Sequence, residues 1–263
     1  MAVPATWPTR FRSKLPYVTW PIRSPGTLTE RVGSTQFAQE LFSGAAHRYD
    51  QVAWWLSYGQ YPRWHRALVS CVPAHARRVL DVATGTGAVA ALLAARGCEV
   101  VALDLTEPML RQAVHRLRVA PLAHRVHLVR ADAARLPFRD ETFCAVTFTF
   151  LLRYVDHPPA VLRELGRVVH RGGWMASLEF GLPDVPWRWG WWLHTRLVLP
   201  LGGRLVSDGW ARVGRFLGPS IERFWHAYPF QEVRRWWGEA GFRHIQRLRL
   251  SLGAAEVVWG QKT

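Results

Sequence analysis

The chain is poor in cysteine and has no long uninterrupted apolar run. Cys71, Cys98 and Cys144 are the only cysteines among 263 residues, and their scattered spacing fits neither a metal site nor a disulfide framework. This cysteine usage favours a reducing compartment, and we expect a cytoplasmic protein. The first 30 residues contain no apolar segment of the length that a secretory signal needs. The apolar runs elsewhere are far shorter than the ~20 residues of a membrane span.

Acidic residues are scarce as well. The chain has 19 of them against 34 Lys and Arg, which gives a formal net charge of +15. Such an excess permits an anionic partner, either nucleic acid or the surface of an anionic membrane. An enzyme that modifies nucleic-acid bases is expected to carry Asn or Asp before a Pro-Pro-aromatic motif. The nearest segment, from Asp156 to Pro159, lacks the aromatic residue. The sequence therefore favours the membrane surface over nucleic acid.

The most informative segment is a predicted strand followed by a glycine turn. It reads Val-Leu-Asp-Val-Ala-Thr-Gly-Thr-Gly from Val79 to Gly87. The pattern Gly85-x-Gly87-x-x-Ala90 satisfies the loose fingerprint of a loop that binds an adenosine-containing cofactor at the start of a helix. Taken alone, this turn fits a dinucleotide as well as S-adenosyl-L-methionine.

Three aspartates distinguish between these cofactors. Asp81 lies so close before the turn that its carboxylate would repel a pyrophosphate. Asp104 and Asp132 end the next two apolar runs, where we expect them to bind the ribose hydroxyls and the adenine amino group. S-adenosyl-L-methionine carries a sulfonium and an ammonium instead of phosphates, so these carboxylates favour it. Single aspartates at strand ends are often helix caps, but three on successive strands favour a cofactor site.

The predicted cofactor site uses the turn and the ends of the neighbouring strands. Its expected members are Asp81, Ala83, Thr84, Gly85, Thr86, Gly87, Asp104, Leu105, Met109, Asp132, Ala133 and Phe148. The sequence predicts no metal site.

Strand-like and helix-like segments alternate after residue 70. This alternation predicts an α/β fold with a mostly parallel, seven-stranded sheet and helices on both faces. The predicted strands are 78–83, 99–104, 126–131, 143–149, 173–180, 244–250 and 254–260, and the predicted helices between them are 87–96, 107–118, 158–170 and 230–240. The predicted divisions are a basic disordered tail (1–34), an N-terminal helical lid (35–70), a Rossmann-like cofactor core (71–183), an inserted helical cap (184–228), and a C-terminal helix with strands that complete the sheet (229–263).

The cap segment interrupts the alternation and is rich in tryptophan, with Trp187, Trp189, Trp191 and Trp192 close together. Three interpretations are open. The aromatic side chains face inward over the mouth of the site, they lie in a lipid interface where Trp and Arg are both favoured, or they form the core of an inserted helix pair. The first two are compatible if the substrate is a lipid.

Several segments resemble one family of enzymes. The segment from Asp132 to Phe143 is similar to a motif that follows a strand in class I methyltransferases. Phe42–Asp50, Leu178–Pro183 and Leu199–Gly203 resemble segments of the ubiquinone/menaquinone biosynthesis C-methyltransferase family. The resemblance extends over residues 36–262.

This resemblance implies a class I methyltransferase that uses S-adenosyl-L-methionine to methylate a ring carbon of a lipophilic, demethylmenaquinol-type substrate. Tyr49 and Asp50 match the family's lid pair and Arg153 matches its arginine near the substrate, so these three are the candidate catalytic residues. Tyr154 stands where the family usually has Asn, and Trp187–Trp192 stand where it has tyrosines. Methylation of another lipophilic aromatic or sterol-like metabolite therefore stays open, as do a homodimer and a peripheral contact with the inner face of an anionic membrane.

Overall fold

The computed structural model describes residues 17–20, 35–119 and 123–263. Its centre is a single sheet in the order β1-β4-β3-β2-β5-β6-β8-β7. Strand β8 runs antiparallel to both of its neighbours, whereas the other pairs are parallel. The strands are β1 (Val18–Thr19), β2 (Arg78–Val82), β3 (Glu99–Asp104), β4 (Val126–Arg130), β5 (Phe143–Thr149), β6 (Val169–Phe180), β7 (Phe242–Leu250) and β8 (Ala255–Lys262). The predicted mostly parallel sheet is confirmed.

The sheet has eight strands in the described residues, one more than predicted. The additional strand is β1, which pairs in parallel with β4 at the edge of the sheet. The hydroxyl of Tyr17 donates a hydrogen bond to the Glu107 carboxylate at 2.9 Å and so ties this segment to the core. The prediction of a disordered tail is therefore wrong for residues 17–20, because a short edge strand gives little periodic signal. The rest of the predicted tail lies outside the described residues.

Ten α-helices cover the sheet and build the lid and cap in the described residues. Those of the lid are α1 (Thr35–Ala45), α2 (Tyr49–Leu56) and α3 (Tyr61–Ser70); those of the core are α4 (Ala88–Ala95), α5 (Glu107–Val119), α6 (Pro158–Val168) and α10 (Phe230–Glu239). The cap consists of α7 (Arg188–Leu193), a π-helical segment (His194–Val198), α8 (Leu199–Val206) and α9 (Asp208–Ala227). No described helix is both long and apolar enough to span a membrane.

The two faces of the sheet have separate hydrophobic cores. One core joins the sheet to α3, α4 and α5, and the other joins it to α6 and α10, with Trp237 fully buried in the second. The residues of β3 between its ends, from Val100 to Leu103, are buried on both faces. This continuous apolar run is typical of a parallel strand between two helical layers. The carboxyl ends of β2, β3, β4 and β5 consequently meet at one edge, beneath the lid and the cap.

Strand β6 begins earlier than the sequence indicates. The sequence predicts a helix over 158–170 and a strand from 173, but α6 ends at Val168 and β6 starts at Val169. Gly172 lies inside the strand with φ 77°, and the register with β5 shifts nearby. Gly172 therefore allows the irregular backbone of this strand and does not end a helix.

Glycines allow the cap helices to approach one another closely. A Cβ atom at Gly203 of α8 would lie 2.4 Å from the carbonyl oxygen of Trp210 in α9. A Cβ atom at Gly209 of α9 would lie 2.5 Å from the carbonyl oxygen of Gly44 in α1. Lid and cap therefore pack backbone to backbone, and together they close over the sheet edge.

Candidate active site

The glycine turn is fixed from below by Asp81. This side chain is fully buried, and its carboxylate accepts hydrogen bonds from the hydroxyls of Thr84 (2.6 Å) and Thr147 (2.7 Å). Burial raises the pKa of Asp81 to about 6, although both hydroxyls act in the opposite direction. Asp81 does not line the cavity above the turn. Asp81 thus holds the turn in place, and its predicted contact with the cofactor stays a prediction.

A cavity lies above the turn at the carboxyl ends of β2, β3 and β4. Most of the predicted cofactor residues line it, namely Ala83, Thr84, Gly85, Thr86, Asp104, Leu105, Met109, Asp132 and Ala133. Further residues that the sequence pattern does not indicate also line it, among them Gln39, His65, Thr106, Thr149 and Phe150. Most of these lie on the lid or one position beyond a predicted member, where a sequence pattern cannot show which way a side chain points.

Two other predicted members lie outside the cavity. Phe148 is fully buried on the opposite face of the sheet, with its ring centroid 6.2 Å from that of Trp237. Because side chains alternate along a strand, Thr149 points away from Phe148 and lines the cavity. Phe150 lines it as well, from just beyond the end of β5. Gly87 is the N-cap of α4 with φ 77°, and a Cβ atom there would lie 3.2 Å from Ala113 Cβ. Its role is therefore to let α4 start close to α5.

Asp104 determines which cofactor the turn accepts. Its Oδ2 accepts a hydrogen bond from the N–H of Gly85 and its Oδ1 accepts one from the N–H of Thr106, both at 2.8 Å. In a dinucleotide site, the turn amides would bind phosphate. Here the Gly85 N–H already binds a carboxylate, so the turn suits a cofactor without phosphate, and the remaining lone pairs of Asp104 suit ribose hydroxyls. The residues present therefore fit S-adenosyl-L-methionine.

Asp132 provides a second carboxylate in the same cavity. Its Oδ1 accepts a hydrogen bond from the N–H of Ala134 at 2.9 Å, which orients the side chain. Ala133, Leu105 and Met109 line the cavity with it. A carboxylate surrounded by small and apolar side chains suits the amino group and flat faces of an adenine.

A second, larger cavity adjoins the first and has a volume of about 350 Å³. The two cavities share a wall of five aromatic side chains: Phe42, Tyr49, Tyr61, Phe150 and Tyr154. We call this second cavity the acceptor chamber. Its remaining walls come mainly from the lid, the cap and the β7–β8 turn, and they include Ala53, Leu56, Trp187, Trp191, Leu199, Trp210, Val213 and Leu252. The chamber is apolar and suits a lipophilic ring beside the cofactor cavity.

Tyr49 lies at the junction of the two cavities, as a residue near the reacting atoms should. Its ring centroid is 5.5 Å from that of Trp210 and 6.2 Å from that of Tyr61. Burial raises the pKa of its hydroxyl, and the neighbouring Tyr154 adds to this increase. Tyr49 is therefore neutral at physiological pH and can donate a hydrogen bond, but it is a poor base.

Asp50, the second catalytic candidate, lies outside both cavities. Its carboxylate accepts a hydrogen bond from the Thr86 hydroxyl at 2.8 Å and forms an ion pair with Arg116. Arg116 also donates from Nε to the Thr86 carbonyl oxygen at 2.9 Å. Asp50 therefore connects lid helix α2 to the glycine turn and to α5, and its position indicates a clamp rather than a catalytic group.

Arg153 is buried behind the shared aromatic wall and lines neither cavity. Its guanidinium carbon lies 4.9 Å from the ring centroid of Tyr154 and 5.2 Å from that of Phe180. Its NH1 donates to the Ser220 hydroxyl at 3.0 Å, and its Nε lies 3.9 Å from Glu179 Oε2. The catalytic role expected for Arg153, either directly on the substrate or through a positioned water, therefore stays a prediction. What Arg153 provides is a positive charge behind the two rings.

Glu179 is the counter-ion of this arginine. Its Oε1 accepts hydrogen bonds from the N–H groups of Leu151 (2.8 Å) and Leu152 (2.9 Å), which fixes the loop after β5. Burial raises the pKa of Glu179 to about 7, while Arg153 and these two N–H groups act to lower it.

The fold is that of known S-adenosylmethionine-dependent methyltransferases. A Thermotoga maritima structure described as a SAM-dependent methyltransferase, possible histamine N-methyltransferase, superposes with a TM-score of 0.60 at 19% identity, covering 86% of this chain and 99% of the other. A putative S-adenosyl-L-methionine-dependent methyltransferase from Methanococcus maripaludis gives a TM-score of 0.57 at 16% identity, covering 91% and 98%. Fold and cofactor site together define a Rossmann-like S-adenosylmethionine-dependent methyltransferase.

Sequence similarity identifies the family. A profile of the ubiE/COQ5 methyltransferase family matches residues 30–262. The chain is 39% identical over 225 residues to a demethylmenaquinone methyltransferase of Clavibacter sepedonicus, covering 84% of this chain and 89% of the relative. It is 38% identical over 229 residues to a ubiquinone/menaquinone biosynthesis C-methyltransferase UbiE of Syntrophotalea carbinolica, covering 86% and 94%. The chain belongs to the ubiE/COQ5 methyltransferase family.

Proposed function

We propose that this enzyme methylates a ring carbon of a demethylmenaquinol-type lipophilic quinol. The observation that carries the proposal is the acceptor chamber, which is apolar and shares an aromatic wall with the cofactor cavity. A flat ring in the chamber would lie against Phe150 or Tyr154, next to the cofactor. The relatives named above act, by their names, on demethylmenaquinone or in ubiquinone and menaquinone biosynthesis.

The chemistry needs an electron-rich ring and a dry, ordered site. Bound S-adenosyl-L-methionine supplies an electrophilic methyl group. A ring carbon becomes a sufficient nucleophile when a neighbouring hydroxyl loses its proton, and a nearby positive charge favours that loss. Arg153 provides such a charge about 5 Å behind the Tyr154 ring. Tyr49 can donate a hydrogen bond at the junction, and the Asp50–Arg116 ion pair holds the lid closed against water.

Complementation tests this proposal in a cell. We expect the gene to restore methylated menaquinone in a bacterial strain that lacks its own demethylmenaquinone methyltransferase, as measured by mass spectrometry of the quinone pool. The Asp104→Ala variant, expressed at the same level, is the inactive control. A quinone pool that stays demethylated while the purified enzyme methylates another lipophilic aromatic would contradict the proposal.

We further propose that this enzyme is cytoplasmic and docks on the inner face of an anionic membrane. Exposed apolar side chains concentrate on the cap and on the adjacent α2: Trp54, Trp55, Tyr58, Val185, Trp187, Trp189, Trp192, Leu193, Leu197, Val198, Leu201, Leu205 and Val206. We call this set the apolar face. Tyr58 and Trp187 of this face also line the acceptor chamber, so the chamber opens onto it. Arg188 and Arg204 are exposed on the same cap segment and would meet anionic headgroups.

Vesicle co-sedimentation tests the docking. We expect binding to vesicles with anionic lipid, weaker binding in high salt, and little binding to purely zwitterionic vesicles. A variant with Trp189 and Leu205, which are 78% and 90% exposed, replaced by Ser should lose binding. The matched control is Leu248→Ser, because Leu248 is an exposed apolar residue on β7 and does not belong to the apolar face. Equal binding by the variant and its control would contradict this surface.

A further inference from the structure

His65 of α3 has a buried ring nitrogen that makes no hydrogen bond to any described residue. The side chain is 4% exposed and lines the cofactor cavity, and Nε2 is the atom without a partner among residues 17–20, 35–119 and 123–263. Its ring packs edge-on against Tyr61, with the centroids 4.2 Å apart. A buried polar atom that forms no hydrogen bond is destabilising, so such atoms are rare unless a ligand supplies the missing hydrogen bond. The position in the cavity wall indicates that a ligand does so here.

The same part of the cavity contains the N-terminus of α4. Thr86, Ala88 and Val89 line the cavity together with His65, and α3 packs against α4. The first N–H groups of a helix have no carbonyl partner within it, and they carry the positive end of the helix dipole. Arg116 donates to the Thr86 carbonyl oxygen at 2.9 Å, but its charge is paired with the Asp50 carboxylate, so the helix N-terminus provides the positive potential. This side of the cavity therefore favours an anionic group.

The part of the cavity formed by the ends of β3 and β4 favours the rest of the cofactor. Asp104 and Asp132 are carboxylates that suit ribose and adenine and would repel a third carboxylate. Of the parts of S-adenosyl-L-methionine, only the methionine part carries a carboxylate. The charges thus orient the cofactor with that carboxylate toward α4.

We propose that His65 binds the carboxylate of the cofactor's methionine part, with Nε2–H as the donor, together with the N-terminus of α4. Burial, and to a smaller extent Arg116, lowers the pKa of His65 to about 4, so the ring is neutral at physiological pH. It therefore acts as a neutral hydrogen-bond donor from the lid. The lid helix α3 then contributes to cofactor binding as well as to the acceptor chamber, where Tyr61 of the same helix lies.

A comparison of two ligands tests this role by calorimetry. Decarboxylated S-adenosylmethionine lacks the carboxylate and is otherwise the same. We expect His65→Leu to weaken S-adenosylmethionine binding roughly 10- to 100-fold, the effect of losing one hydrogen bond to a charged group. Binding of the decarboxylated ligand should change little. His65→Gln, which keeps an N–H donor, should restore part of the affinity. His115→Gln, at an exposed position on α5, is the control and should change neither affinity.

Equal losses for both ligands in His65→Leu would overturn the proposal, because a purely structural role affects both alike. Unchanged affinity for S-adenosylmethionine would overturn it as well. If the Leu variant does not fold, ¹⁵N-histidine NMR of the wild type decides. The His65 Nε2 signal should shift with S-adenosylmethionine and not with the decarboxylated ligand, and the same shift with both would contradict the assignment.

Discussion

Replacing Asp104 should abolish tight cofactor binding while leaving the fold intact. The carboxylate ends β3 in the cavity wall and is 8% exposed. The N–H groups of Gly85 and Thr106 use part of its accepting capacity, each at 2.8 Å. A carboxylate has about four lone-pair sites, so about two are available to the ribose hydroxyls.

The expected loss follows from those two bonds. A hydrogen bond to a charged group contributes about 1.5–3 kcal/mol, so Asp104→Ala should cost about 3–6 kcal/mol of binding free energy, or roughly 10²- to 10⁴-fold in Kd. Asp104→Asn keeps one oxygen for the turn amides but places an amide NH₂ against the other. It should therefore show an intermediate loss.

Calorimetry with S-adenosylmethionine measures these affinities directly, and a thermal unfolding scan checks that each variant is folded. Glu99→Gln is the matched control, because Glu99 is exposed at the other end of the same strand and the substitution removes the same charge. We expect it to bind like the wild type. If folded Asp104→Ala binds within about threefold of the wild type, the assignment of this carboxylate to the ribose is refuted.

Three further expectations concern the lid, the cap and the buried ion pair. Asp50→Asn should weaken cofactor binding by no more than about fivefold in calorimetry, because the Asp50–Arg116 pair is about one-third exposed and such pairs contribute up to about 1 kcal/mol; a loss above 100-fold would indicate direct ligation. Gly214→Ala would place a Cβ atom 2.4 Å from the Leu199 carbonyl oxygen, so it should lower the stability by about 1–3 kcal/mol and raise the KM for the acceptor without changing the Kd for the cofactor. The pKa of Glu179 in the folded state is raised to about 7, so folding favours its protonated form. As the pH falls from 8 through 7 toward the ordinary pKa of 4.5, the free energy of unfolding of the wild type should rise by up to about 3 kcal/mol relative to that of Glu179→Gln. Urea unfolding at pH 8 and pH 5 measures this difference, and an equal difference at both pH values would contradict the expectation.

The sequence was sufficient to predict the sheet and the carboxyl edge on which the site lies. Short, strand-like runs predicted seven of the eight strands, and an aspartate at the end of β3 and another after β4 marked the edge. The sequence pattern could not show which of the two carboxylates, Asp81 or Asp104, faces the cavity, because both residues belong to a strand next to the turn. Only the fold shows that the Asp81 carboxylate faces Thr84 and Thr147 beneath the turn rather than the cavity.

The lid and cap were harder to predict for a related reason. The tryptophans from Trp187 to Trp192 follow one another too closely for a helical period to sort them. In the fold, Trp191 is 9% exposed and lines the acceptor chamber, whereas Trp189 is 78% exposed on the apolar face. The interpretation of inward-facing aromatic side chains therefore describes Trp191, whereas the lipid-interface interpretation stays a prediction for exposed side chains such as Trp189. His65 gave no signal either, since one histidine in an amphipathic helix resembles any other.

The central claim is that the chamber holds a reduced quinone ring against the cofactor cavity. The most direct measurement is transfer of a ¹³C-labelled methyl group from S-adenosylmethionine to a short-chain demethylmenaquinol by the purified enzyme, with NMR of the product. We predict a new methyl signal on a ring carbon, present with the reduced substrate and absent with the oxidised quinone or with Asp104→Ala. Label on a hydroxyl oxygen, or no transfer to the quinol by enzyme that binds the cofactor normally, would contradict the account.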